Sequence, residues 1–85
     1  MTHSKTELVY LKSLMAGDSD SQARLNISRL GLPEISSQTA DLWCNIYIPI
    51  LNQNRFYTNS VVSGTMSMVE VVRSIRSRTK GNENE

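Results

Sequence analysis

The chain has 85 residues, of which 39% are hydrophobic and 20% charged, and its formal net charge is +1. This is the composition of a globular domain rather than a disordered chain, at a length that allows one domain near the lower limit for folding alone. A single cysteine, Cys44, excludes an internal disulfide; no cysteine–histidine set has zinc spacing, and no apolar run approaches the ~20 residues of a membrane span, so neither a cofactor nor a membrane is an expected partner.

A chain this short removes only about 60–65% of its unfolded surface from water, so a second subunit is the expected source of extra buried area and a homodimer is anticipated. The N-terminal MTHSKTELVYLK lacks an uninterrupted apolar leader core. Together with the unpaired thiol, this points to the cytoplasm.

Taken in chain order, the first signal is Ser4 with Glu7, a Ser-x-x-Glu capping box. There the serine oxygen accepts one orphan backbone N–H, and the carboxylate reaches back to another. It predicts a helix over about residues 5–16, with Leu8, Leu11 and Met15 on one face, Tyr10 and Leu14 beside it, and Gly17 as left-handed terminator. Ser19 with Gln22 repeats the code and predicts a helix over about residues 20–30, with Ala23, Ile27 and Leu30 in register. Leu30-Gly31-Leu32-Pro33 then reads as a Schellman stop: Gly31 at positive φ, Leu32 turned back onto Ile27, and Pro33 barring continuation.

The middle supports two patterns. Leu42, Trp43, Ile46, Tyr47 and Ile50 follow helical spacing, with Ser36 as a cap. Cys44, Ile46, Ile48 and Ile50 also alternate as a strand would, with a turn at Asn52-Gln53-Asn54 and a second strand over residues 55–62. Pro49 disturbs both, because it kinks a helix and cannot donate to a ladder. Ala40, Asp41 and Leu42 favour a kinked, almost wholly buried helix. The expected fold is therefore a mainly α, four-helix domain, the alternative being an α+β domain with a hairpin at about residues 44–62. In either case Trp43 is expected to be buried and Cys44 to be a buried, unreactive thiol.

Residues 60–64 read as a connection. Ser67 with Glu70 forms a third box, flanked by Met66 and Val71 at the hydrophobic-staple positions. The last helix carries Met68, Val71, Val72 and Ile75 on one face. Its β-branched residues are mediocre helix formers, so packing must hold it, and this stripe is the expected self-association surface. The domain is expected to span residues 1–80, and residues 81–85 to form a disordered polar tail.

Catalysis is disfavoured. His3 is the only histidine and falls in a terminus expected to be disordered, which leaves no placed imidazole base. Asp18 and Asp20 open what resembles a calcium loop, but Arg29 occupies the twelfth position where a bidentate glutamate is required. Gly64 stands alone, not in a phosphate-binding loop.

Arg73, Arg76, Arg78 and Lys80 fall within ten residues that contain no acid. Such a run either contacts phosphates or complements the negative end of a helix dipole. Residues 20–47 also permit a helix-turn-helix reading, with Ser36, Ser37, Gln38 and Thr39 touching a duplex. Against it, Leu32 to Ile35 lengthens the turn, and Ile27 is large for a close helix crossing. The sequence therefore points to a small non-catalytic adaptor, regulator or inhibitor that binds another protein; the alternative is a nucleic-acid-binding regulator.

Overall fold

A computed structural model describes residues 3–83, with side chains as far as Arg78. The described residues form five continuous helical runs and no strand, so the mainly α expectation holds, the hairpin at 44–62 is absent, and the helix count is five rather than four. The elements are α1 (Lys5–Met15), α2 (Asp20–Arg29), α3 (Ser37–Leu42), a π-helical turn (Trp43–Tyr47), α4 (Ile48–Gln53), a 3-10 turn (Arg55–Tyr57), α5 (Thr58–Val62) and α6 (Met68–Glu83). α3, the π turn and α4 run on as one helix, as do the 3-10 turn and α5.

Local chemistry sets the helix ends. The Ser4–Glu7 box forms in both directions. At Ser19 only half of the box forms: the hydroxyl accepts the Gln22 amide, while the Gln22 side chain instead donates to Asn26. Ser36 caps α3 by accepting the Thr39 N–H, and Ser67 accepts the Glu70 N–H in α6.

Gly31 has a φ of +70°, with bonds from its own N–H to the Ser28 carbonyl and from the Leu32 N–H to the Ile27 carbonyl. This is the 5→2 and 6→1 pair of a Schellman motif. α2 stops at Arg29, and Leu30, expected in the apolar register, is instead 64% exposed as the cap residue.

The hairpin reading fails because Pro49 is accommodated without leaving the helix. The Ile48 N–H reaches back five residues to the Trp43 carbonyl, which widens the turn ahead of the proline, and Pro49 becomes the second residue of α4. A wide turn moves the carbonyl of the preceding turn away from the ring, which relieves the clash that a proline makes inside a helix.

The core is built from Tyr10 and Leu11 of α1, Ala23 and Ile27 of α2, Ala40, Trp43 and Leu51 of the long helix, Tyr57, Val61, and Met68 and Val71 of α6. α1 packs along α2. Each large side chain fully removed from water contributes roughly 1.5–3 kcal/mol before ordering entropy is deducted. The molecule is elongated, 50 × 22 × 21 Å. Helical backbone continues in α6 to Glu83, past the boundary expected at residue 80. Among the described residues no helix is long and apolar enough to cross a membrane.

Candidate functional site

Two polar clusters organise the body, and each corrects an expectation about a reactive residue. In the first, the Tyr10 hydroxyl donates to Asp20 Oδ1 at 2.6 Å and lies 3.2 Å from Cys44 Sγ. Arg24 Nε reaches both Asp20 oxygens, at 3.1 and 3.0 Å. Burial, then the contacts with Asp20 and Cys44, push the Tyr10 hydroxyl well above its ordinary range, so it stays a proton donor. The Tyr10 bond and then the Arg24 side chain hold the Asp20 carboxyl below the usual carboxylate range. The cluster ties α1, α2 and the π turn together. Cys44, expected to be buried, is exposed. Trp43 points into the core, and the next residue on a helix is rotated about 100° away from it.

The second cluster surrounds His3, which is ordered into the fold rather than frayed. Its Nε2 accepts the Met68 N–H at 3.0 Å, and its Nδ1 lies 3.3 Å from Glu7 Oε1. Glu7 Oε1 also accepts the Trp43 indole N–H at 3.1 Å. The imidazole stands edge-on to Trp43 at 5.0 Å, and Trp43 in turn stands edge-on to Tyr47 at 4.9 Å. Trp43 is fully buried, as expected, with its one polar atom satisfied.

Tyr47 and Met68 also line a shallow groove of about 230 Å³, together with Val69, Val72, Arg73 and Arg76. Val69 is 56% exposed and Val72 half-buried, while Arg73 and Arg76 are exposed. Among the described residues lining it, none is acidic. A larger cavity, about 430 Å³, lies where α2 meets the 30–36 connection, but Arg24 and Glu34 both line it and its charge is mixed. The α6 groove is smaller, yet it combines apolar walls with one sign of charge.

The expected self-association stripe divides. Met68 and Val71 lie inside the chain's own core, and only Val72 and Ile75 remain half-buried at the surface. The expected nucleic-acid residues divide as well. Ser36 and Thr39 hydrogen-bond each other across the α3 cap, and the cavity they border is also lined by Glu7 and Glu34, carboxylates that would repel phosphate. Ser37 and Gln38 are exposed beside them. Arg73 and Arg76 border the other groove, and Arg78 Nη1 donates to the Tyr57 hydroxyl at 3.5 Å, a long bond. Lys80 lies beyond the described side chains. Among the described residues, Ser36 and Thr39 border one cavity and Arg73 and Arg76 another.

Sequence reasoning missed His3, Tyr47 and Val69. The i, i+4 spacing of His3 and Glu7 and of Trp43 and Tyr47 was a readable signal for two of these contacts. The His3–Met68 bond spans 65 residues and leaves no local trace. Comparison with family models, with curated proteins and with solved structures found no match.

Proposed function

We propose that the protein is a small non-catalytic adaptor, regulator or inhibitor that binds another polypeptide at the α6 groove. One observation carries this reading: an apolar floor of Tyr47, Met68, Val69 and Val72 is bordered by two exposed arginines. Charge complementarity selects the occupant. It is an amphipathic segment that places an apolar side chain between Val69 and Val72 and carboxylates beside Arg73 and Arg76. Arginine favours such bidentate partners, and aromatic and arginine side chains dominate interface energetics. A second copy fits this groove less well, because it would bring its own Arg73 and Arg76 to the same face. The proposed compartment is the cytoplasm, in keeping with a single exposed thiol that has no disulfide partner within the chain.

The test compares wild type with Val72→Asp and with Arg73→Glu/Arg76→Glu as baits in native lysate, with and without nuclease. The expected result is one stoichiometric, acidic polypeptide captured by wild type, lost with both variants and indifferent to nuclease. Capture of the same polypeptide by the variants would overturn the reading. Nucleic acid that dissociates steeply with salt would replace it with a phosphate-binding one. A dimer in light scattering that Val72→Asp abolishes would identify the occupant as a second copy.

A further inference from the structure

We infer that His3 is a proton-released latch on α6: the neutral imidazole holds the first turn of α6 by its backbone, and protonation lets that turn go. Both ring nitrogens are committed. Nε2 accepts the Met68 N–H at 3.0 Å, which requires a free lone pair, so the ring proton sits on Nδ1, 3.3 Å from Glu7 Oε1. Met68 is the first residue of α6, and its N–H is one of the donors that no turn of that helix can satisfy. The imidazole serves as cap acceptor for a helix that begins 65 residues further along the chain.

A second proton must go to Nε2. It would place a donor against the Met68 N–H and a positive charge at the positive end of the α6 dipole. The other groups facing the ring decide which side gives way. From α1, Glu7 offers a carboxylate that attracts the imidazolium, while its Oε1 also holds the Trp43 indole. From the π turn, the rings of Trp43 and Tyr47 stand 5.0 and 6.0 Å away. From α6, Ser67 already serves the Glu70 amide, and Glu70 lies within the first turn. The protonated ring therefore stays with Glu7 on α1 and releases α6. The latch is thus closed while the imidazole is neutral and open once it is protonated.

Tyr47 and Met68 line the groove, so an open latch alters its walls. That consequence rests on the proposed function; the latch itself does not.

The experiment follows the Met68 amide and the His3 ring protons of the full chain by NMR from about pH 8 to about pH 5.5, above the carboxylate range. Amide exchange in α6 and α1 is measured over the same range and corrected for intrinsic rates. The Met68 amide is expected to titrate together with the imidazole. Opening of the first turn of α6 should rise roughly fivefold, the worth of one net hydrogen bond, while α1 stays unchanged. His3→Ala should show the open level throughout. A Met68 amide that ignores the imidazole titration, or a His3→Ala variant that keeps the wild-type pH dependence, overturns the latch. If the latch titrates as stated but the captured polypeptide binds wild type and His3→Ala equally at both pH values, the latch stands and its coupling to the groove falls; capture by the groove variants is what overturns the groove reading.

Discussion

Helices α1 and α2 are closed at both ends by neighbours in sequence, whereas α6 adds to its own Ser67 cap an acceptor borrowed from residue 3 and ends with polar positions along its outer half. α1 has a reciprocal capping box and α2 a serine cap, and both finish on left-handed glycines, Gly17 and Gly31. Between them run Tyr10–Asp20 and the Asn26 bonds to Ser13 and Asp18. α6 is seated by Met68 and Val71, half-buries Val72 and Ile75, and from Arg76 to Arg78 is exposed. A helix that is polar all round gains little from its own chain and is available to another surface. The first pair is held along its whole length, whereas α6 leaves residues 76–78 exposed.

The strongest way to break this contrast is to damage the body directly. Trp43→Ala removes a fully buried indole and one of the two donors that face Glu7 Oε1. It should cost about 3–5 kcal/mol, enough to unfold much of a domain this size, as read by urea denaturation. A near-wild-type midpoint would mean that the body does not depend on its centre.

Next comes Gly31→Ala. A Cβ there meets nothing within 4 Å, so the expected cost of about 1–2 kcal/mol comes from the left-handed φ alone. A melting temperature lower by about 4–8 °C for each kcal/mol would confirm it, and an unchanged one would show that the α2 stop can relax.

Asp20 offers a smaller, pH-dependent test. Its folded carboxyl sits below its ordinary range, so its contribution is present above the unfolded value and is lost as pH falls through the folded one. The group is largely exposed, and solvent screening keeps the contribution small. Asp20→Asn should flatten the acid limb of the stability profile; an unaltered limb would mean that the Tyr10 bond gives no preference for the ionised form.

The smallest effect belongs to α6. Arg73→Glu/Arg76→Glu should change stability by no more than about 0.5 kcal/mol, because both side chains are exposed. A larger loss in thermal melts would place these arginines in the fold rather than at its outer face.

What could be read in the sequence was whatever lay within five residues. Ser4–Glu7, the Ser19 and Ser36 caps and the Gly31 stop are local chemistry, and each formed where its residues stand. The helix-or-hairpin question at 44–62 was undecidable locally, since isoleucines two apart and four apart overlap there, and spacing alone does not announce a wide turn that takes in Pro49. Cys44 was misread because apolar neighbours in sequence were taken for neighbours in space. Of the groove, the arginines and Val72 were legible on helical spacing. Tyr47 joins them only through tertiary packing, and Phe56, the most exposed large apolar side chain at 82%, gave no sign of its exposure.

The wide turn also has a consequence for how this chain can vary. Residues 43–47 hold one residue of slack, and Pro49 is the reason that slack is tolerated. Deleting a residue there would restore ordinary winding and leave Leu51 facing the core, but it would drive the ring against the carbonyl four positions back. Replacing Pro49 alone would remove the steric reason for the slack while keeping the extra residue. Extra residue and proline are therefore expected to come and go together, as one inherited unit rather than as two independent positions.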